Sequence, residues 1–589
     1  MTMNDFPAPD MAAIDNDIHD DAGQVPRQRR GAVARPGNRL CIGRVGAPAQ
    51  QEATSGHFYF WVPPDVLVER TQIVTCESEI AGQTYRFAAL IDEVHHRGRE
   101  RDMGNVVDAA DSDLDWMPPF ASEGYTYCSA SILRIESPVL TPPRDRSDVL
   151  LAGADEAGHA YGFDEMARPM AIGRLRNGGS QYAGLAQIDL HYLLGENGGH
   201  LNVTGMAGAG AKSSLLLTVL KCLIHEARPQ PGREPLHIVP IVLNVKGEDL
   251  MWIDRAHRDL SNPRRQDQAD WAALGIPAAP FAGATFYAPA DRNGAPMIDG
   301  CAATAYSWTL RDVIEQDLFR YLFASDDLSS AMAAYVLDIA TELTSDDGRL
   351  RPNGPQTWAE LLERMRAHSL NCSNVHHAGT LNAVYRRLRE ILMESEGIFP
   401  RDLQNGQPLR VTRTVTTPPQ VIDIHSLSQP LQRFVVAAIV KRVVAARTGR
   451  HAVRGLRYVL VLDELNRFAP RGSSDDITRL LEQVASEMRS QGVILLGAQQ
   501  LASLVSNKVI ENAAIRVLGR TGAAELQDRV WQGWDKPARA QAMQLRPDEK
   551  LVMQPTFRQP MFTKLPFPAW AMRREDIAAP AADELPPEV

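Results

Sequence analysis

Two short stretches of this sequence combine residue types and spacings that suit the handling of phosphate esters. The first runs His200-Leu201-Asn202-Val203-Thr204-Gly205-Met206-Ala207-Gly208-Ala209-Gly210-Ala211-Lys212-Ser213-Ser214 and continues into an apolar, helix-compatible run, Leu215 to Ala227. Glycines at Gly205, Gly208 and Gly210 let the backbone curl so that its N–H groups point inward. A helix opening behind them adds the positive end of its dipole. The ammonium of Lys212 then suits the outer phosphates and the hydroxyl of Ser213 suits Mg2+, with Ala211 and Ser214 completing the cradle. The spacing departs from the usual phosphate loop, because Ala211 stands directly before the lysine and Gly205 lies one residue too far out. A flexible glycine-rich lead-in to an ordinary helix would read the same way.

The second stretch, Leu456 to Glu464, is an apolar strand ending in two carboxylates. Such an ending is costly unless the acids have work at the sheet edge. In a parallel sheet, the carboxyl edge is where ligands bind. Asp463 suits a water-mediated hold on Mg2+, and Glu464 suits the general base for an attacking water. Two acids capping the next helix are the bland alternative, and the phosphate loop upstream argues against it. A further buried run, Gly492 to Leu496, leads into Gly497-Ala498-Gln499-Gln500. Gln499, first after the run, is the candidate sensor of a terminal phosphate on a strand between the loop strand and the acidic strand. An ordinary polar turn fits equally well.

The elements that must position these groups are legible in outline. From about Asp164, buried β runs alternate with helical stretches, the pattern of a parallel α/β sheet. The runs are His200–Thr204, His237–Val245, Gln420–Ile424, Tyr458–Leu462 and Val493–Leu496. Between Thr304 and Phe399 no such run occurs, and periodic apolar positions predict helices. Before the α/β part, short runs rich in aromatic and β-branched residues, among them Phe58–Val62 and Tyr125–Ile135, predict a small barrel.

The expected fold is therefore an α/β RecA-like P-loop ATPase core with a helical insertion, preceded by a small N-terminal β-barrel. Its divisions are a disordered tail (1–38), the barrel (39–160), the core in two parts (161–303 and 401–563) around the insertion (304–400), and a C-terminal arm (564–589). Trp570 in that arm has no use in a disordered end and predicts docking.

Three further segments carry a family resemblance. Asn244-Val245-Lys246-Gly247-Glu248-Asp249-Leu250, Asp463-Glu464-Leu465-Asn466-Arg467-Phe468 and Arg489-Ser490-Gln491-Gly492-Val493 resemble stretches of HerA-like pumps of the HerA/FtsK superfamily. The variant phosphate loop and the order of parts resemble that family too, over about residues 40 to 575. The resemblance implies a cytoplasmic homohexamer that hydrolyses ATP with Mg2+ between subunits and threads double-stranded DNA through its pore, as a translocase or helicase. It also implies an effector, a nuclease or a sirtuin-like NADase, docked on a HAS-barrel-like platform. The setting would be DNA end processing or antiviral defence. One alternative is a ring scaffold that ATP holds together and that restrains a toxic effector without pumping; another is a protein-export or conjugation ATPase, whose core would look similar but which would normally have membrane segments or a membrane partner. A ring of this kind needs an arginine finger from the neighbouring subunit. Arg520, Arg489 and Arg516 are candidates, with Arg520 preferred for its flanking glycines. Arg467 and Arg471 are candidate contacts to DNA phosphates.

Bulk properties narrow the class. The net charge is −10, so any nucleic-acid contact must be local. No apolar run approaches the roughly 20 residues of a membrane-spanning helix, and the acidic N-terminus does not suit a signal peptide. The cysteines are dispersed, which fits a reducing compartment. His95-His96 and His376-His377 have no cysteine or carboxylate pattern around them and read as surface histidines.

Overall fold

The structure, a computed structural model, describes residues 33–35, 39–98, 111, 113, 124–137, 139–179, 181–206, 211–229, 231–261, 267–323, 328–395, 397–403, 406–409, 418–448, 453 and 455–578. The expected disordered tail lies outside the described residues except at 33–35. Gly208 and Gly210 of the phosphate loop lie outside them as well.

Seven strands form the N-terminal unit: β1 (Val33–Arg35), β2 (Arg39–Val45), β3 (His57–Val62), β4 (Ile73–Ile80), β5 (Gln83–Arg97), β6 (Tyr125–Ile135) and β7 (Asp148–Leu151). Their order is β1-β2-β3-β6-β5-β4-β7, and β2 also pairs with β7, so β2 to β7 close into an antiparallel barrel. Closure removes the sheet edges that β2 and β7 would otherwise expose. The strands alternate as a barrel requires: Phe58, Phe60 and Val62 of β3 are buried, and with Val74, Phe87, Ile91 and Ile132 they fill the interior. Ile73, Leu90 and Leu133 face the other way and join the core of the following unit. Asn177 bridges the two units, accepting a hydrogen bond from the Ile73 N–H at 2.7 Å and donating to the Ala152 carbonyl at 3.4 Å.

The rest of the chain builds one 12-stranded sheet. Its strands are β8 (Pro169–Arg176), β9 (Tyr182–Asp189), β10 (Leu201–Thr204), β11 (His237–Asn244), β12 (Thr285–Pro289), β13 (Ala303–Tyr306), β14 (Gln420–Asp423), β15 (Leu456–Leu462), β16 (Val493–Gln499), β17 (Ile515–Leu518), β18 (Glu549–Met553) and β19 (Met561–Lys564). The spatial order is β13-β12-β14-β11-β15-β16-β10-β17-β18-β19-β8-β9. From β13 to β17 every pairing is parallel, and from β17 to β9 every pairing is antiparallel.

The centre of the parallel half is buried on both faces, which explains its uninterrupted apolar strands: all seven residues of β16 and all but one of β15 are buried. The antiparallel flank was not foreseen. Its strands carry polar residues such as Arg174, Lys550 and Thr563, so the apolar runs used to recognise core strands are weak there. The stretch expected to hold only helices begins with a strand, β13, because its first residues pair in parallel with β12. Beyond it come helices Leu310–Glu315, Ser330–Leu343, Trp358–Arg366 and Ala378–Glu394. They pack through Tyr335, Trp358, Leu388 and Phe399. Thr309, Ser329 and Thr357 cap three of these helices by accepting backbone N–H bonds. Among the described residues, no helix is long and apolar enough to cross a membrane.

Candidate phosphate site

β10, β16 and β15 lie side by side in that order, so β16 separates the strand leading to Lys212 from the strand ending at Asp463. The register pairs Thr204 with Gln499 and Leu462 with Gly497, which brings the carboxyl ends of the three strands to one edge. The chain leaves β10 pinned on both sides. The Gly205 N–H donates to the Gln499 carbonyl at 3.3 Å, and the Met206 N–H donates to the Arg520 carbonyl at 2.7 Å.

Helix Ala211–Glu226 opens on the far side of the loop, with Lys212, Ser213 and Ser214 in its first turn. Lys212 is 6% exposed, and among the described residues its Nζ donates to one carbonyl, that of Gly205, at 3.2 Å. Burial pulls its pKa down, the carboxylates of Asp463 and Glu464 push it back up, and Lys246 adds to the fall. A buried ammonium with one carbonyl partner has donors to spare, which fits a phosphate oxygen. The Ser213 hydroxyl donates to Asp463 Oδ2 at 2.9 Å. This pair is oxygen-only, as Mg2+ prefers, and Mg2+ commonly keeps several waters and takes its remaining ligands from substrate phosphates. Among the described residues, no group of three His, Cys, Asp or Glu side chains is placed to hold a metal ion by itself.

Glu464 sits where the chain turns out of β15. Its backbone is left-handed, φ 56° and ψ 47°, a conformation that costs a non-glycine residue roughly 1–3 kcal/mol. Gly497 allows the turn. A Cβ there would stand 2.3 Å from Leu465 Cδ1, so Leu465 rests on bare backbone of β16. The Asp463 side chain secures the corner by accepting the Glu464 N–H at 2.8 Å. The Glu464 carboxylate is buried, and its Oε1 carries two partners, the Lys246 ammonium in an ion pair and the Gln500 amide at 3.4 Å. Burial alone would raise the Glu464 pKa. The hydrogen bond and charge of Lys246, the charge of Lys212 and the Gln500 contact outweigh it and hold the carboxyl below its usual range.

Lys246 projects from the loop after β11, and that loop is itself fixed. The Asn244 side-chain amide donates to the Gly247 carbonyl at 2.7 Å and to Asp423 Oδ1, at the end of β14, at 2.8 Å. Gly247 has φ 48°, a turn that favours glycine. Asp423 is fully buried and also holds His425 Nδ1 at 2.8 Å. That hydrogen bond raises the histidine's pKa, against the effect of burial.

The other sequence candidates are placed as follows. The Gln499 amide is spent inside the sheet. Its Nε2 donates to Thr204 Oγ1 at 2.6 Å and to Asn202 Oδ1 at 2.7 Å, and Asn202 Nδ2 donates back to its Oε1 at 3.0 Å. The neighbouring Gln500 is the glutamine that touches Glu464. Arg520 follows β17 with an exposed side chain, at the same edge as the phosphate loop. Arg489 is exposed at the amino end of β16, where it packs against Gly195 and Gly199, on the sheet edge opposite Lys212. Arg516 is committed within its own chain, donating to the Val530 carbonyl at 2.7 Å and lying 5.2 Å from the Trp531 ring centre. Arg471 folds back on Asp528 at 3.3 Å, and the Arg467 carbonyl accepts from Arg433. The paired histidines have ordinary work: His95 stacks on Tyr127, His96 meets Thr126, His376 bonds Asp338, and His377 caps helix Ala378–Glu394.

Lys246 and Gln500 were not singled out as site residues. The sequence signal for Lys246 was its position directly after a buried strand in a Lys-Gly-Glu-Asp run. Gln500 had only its adjacency to Gln499.

No protein-family model matches the chain, and no curated protein matches it. Solved structures to which this chain is similar include VirB4 of Thermoanaerobacter pseudethanolicus, at 15% identity and TM-score 0.43, covering 68% of this chain and 96% of that one. They also include the bacterial conjugative coupling protein TrwBΔN70, at 12% identity and TM-score 0.42, covering 73% of this chain and 95% of that one. A third is plasmid coupling protein TrwB in complex with ADP and Mg2+, at 14% identity and TM-score 0.38, covering 64% and 88%.

Proposed function

We propose that this chain is a HerA-like ATPase that uses ATP and Mg2+ to drive a homohexameric ring along double-stranded DNA, in service of a separate effector protein. The observation that carries the reading is the contact of Ser213 with Asp463 at 2.9 Å, beside a buried Lys212 and a buried Glu464, at the carboxyl edge of a parallel sheet. Two elements far apart in sequence are brought together there in the arrangement that nucleotide hydrolysis needs.

In this reading, Lys212 holds the outer phosphates, and Ser213 and Asp463 hold the metal. Bound Mg2+ supplies neutralising charge to the phosphates. Glu464 takes a proton from the attacking water, and Arg520 reaches the site of the adjacent subunit. Gln499, bonded to Thr204 and Asn202, ties the phosphate-loop strand to its neighbour beneath the site. The duplex in the pore would meet lysines and arginines through its phosphates, without sequence preference. The effector, a nuclease or an NADase, would sit on the barrel, with DNA end processing or antiviral defence as the setting.

The test is ATP hydrolysis by the purified protein with and without linear duplex DNA, beside Lys212→Ala. Duplex DNA is expected to raise the rate several-fold, and Lys212→Ala to remove hydrolysis in both conditions. A protein that forms rings and binds ATP but ignores DNA would replace pumping with the ring-scaffold reading. A second measurement addresses the finger. Rings mixed from Arg520→Ala and Lys212→Ala subunits are expected to regain part of the activity, because some interfaces then pair an intact finger with an intact loop. Mixtures that never exceed either parent would remove Arg520 from that role.

A further inference from the structure

We infer that Lys246 is a positioning residue for Glu464: together with Gln500 it fixes one oxygen of the carboxylate, Oε1, and leaves the other, Oε2, to receive the proton of the attacking water. The inference rests on the ATPase reading and adds to it a residue with no role in that reading's phosphate-loop and acidic-strand motifs.

Three strand ends converge to make the arrangement. Glu464 leaves β15, Gln500 directly follows β16, and Lys246 stands two residues beyond β11. Both donors reach the same oxygen, and Oε2 has no hydrogen-bond partner among the described residues. A glutamate side chain is long, and its carboxyl torsion is broad and soft. Held only at its backbone, the Glu464 carboxylate would sample many orientations. A charge-assisted hydrogen bond from an ammonium is stronger than one from a neutral amide, so Lys246 dominates the restraint and Gln500 supplements it. Lys246 can do this because its own loop is rigid, tied through Asn244, Gly247 and the buried Asp423.

The Lys246 side chain is 35% exposed and Glu464 is buried, so removing the lysine leaves a buried carboxylate without its charged partner and also frees its orientation. The lysine's larger effect is on where Glu464 points. Misplacing a catalytic group by about 1 Å can cost on the order of 100-fold in rate.

The experiment compares full-length wild type with Lys246→Met, Lys246→Arg and Glu464→Gln. It reads steady-state ATP hydrolysis together with calorimetric binding of the non-hydrolysable analogue ADPNP. For Lys246→Met, kcat is expected to fall on the order of 10- to 100-fold, with KM and analogue affinity unchanged. Lys246→Arg is expected to recover part of kcat, because a guanidinium can donate to the same oxygen. An undiminished kcat in Lys246→Met overturns the inference. So does a loss confined to KM and analogue affinity, which would make Lys246 a phosphate-binding residue. A wild-type protein that hydrolyses ATP no faster than Glu464→Gln overturns the ATPase reading itself, and is distinguishable from either.

Discussion

Glu464→Gln is expected to reduce ATP hydrolysis on the order of 10²- to 10⁴-fold while leaving nucleotide binding in place. The substitution is nearly isosteric. The amide can accept from Lys246 and Gln500 as the carboxylate does, and the left-handed backbone at φ 56° is no harder for glutamine than for glutamate. Proton acceptance is removed, together with the carboxylate charge that faces Lys246 and Lys212. The corner stays fixed by its own contacts, the Glu464 N–H bond to Asp463 and the seat of Leu465 on Gly497. Lys212 and Ser213 keep their partners, so analogue binding should match wild type. Single-turnover hydrolysis and calorimetric ADPNP binding, measured on the same preparation, separate the two effects. A variant keeping more than a tenth of the wild-type rate would rule out Glu464 as the general base. Glu464→Ala is the less informative change, because it also strips Lys246 of its partner and Gln500 of its acceptor.

The legible and illegible parts of the fold divide along physical lines. Strands β10, β11, β14, β15 and β16 were readable because a parallel sheet buried on both faces forces continuous apolar runs, such as Tyr458 to Leu462. The acids at Asp463 and Glu464 were readable because buried strands seldom end in two charges without a purpose. The antiparallel flank from β17 to β9 was not readable. Two of its pairings are local hairpins, β8–β9 and β18–β19, but the pairing that joins them, Thr563 with Leu175, spans a long separation, and no local pattern announces it.

The site shows the same division. Lys212, Ser213 and Asp463 belong to motifs fixed by spacing within one segment, and the structure brings them together. The partners of Glu464 come from other strands. The choice between Gln499 and Gln500 depends on which way a strand end faces. Gln499 belongs to the pleat that faces Asn202 and Thr204 on β10, and the next residue emerges toward Glu464. A one-residue shift of register reverses such an assignment, and sequence alone does not set it.

Trp570→Ala is expected to destabilise the unit built on the 12-stranded sheet by roughly 3–5 kcal/mol, the usual cost of removing a large buried aromatic side chain. Trp570 is fully buried, edge-on to Phe281 at 4.9 Å and to Trp271 at 6.0 Å between ring centres. The arm around it is held by backbone as well. The Ala571 N–H donates to the Arg255 carbonyl at 2.8 Å, the Ala578 N–H to the Ala256 carbonyl at 2.9 Å, and Trp271 Nε1 to the Phe567 carbonyl at 2.7 Å. The arm therefore clips down the segment that follows Lys246, and Arg573 lies 3.9 Å from Asp249 of the same segment. Loss of the indole should loosen that segment before it unfolds the sheet. Hydrolysis should then fall in kcat at temperatures where the protein is still folded, in the same sense as Lys246→Met. Denaturant unfolding of wild type, Trp570→Phe and Trp570→Ala measures the stability term, and kcat at a temperature well below the transition measures the coupling. A stability loss under about 1 kcal/mol would show that the arm rests on the core without supporting it. A full loss of stability with kcat intact would separate the arm from the loop that carries Lys246, and would leave Asn244, Gly247 and Asp423 as the contacts that place the lysine.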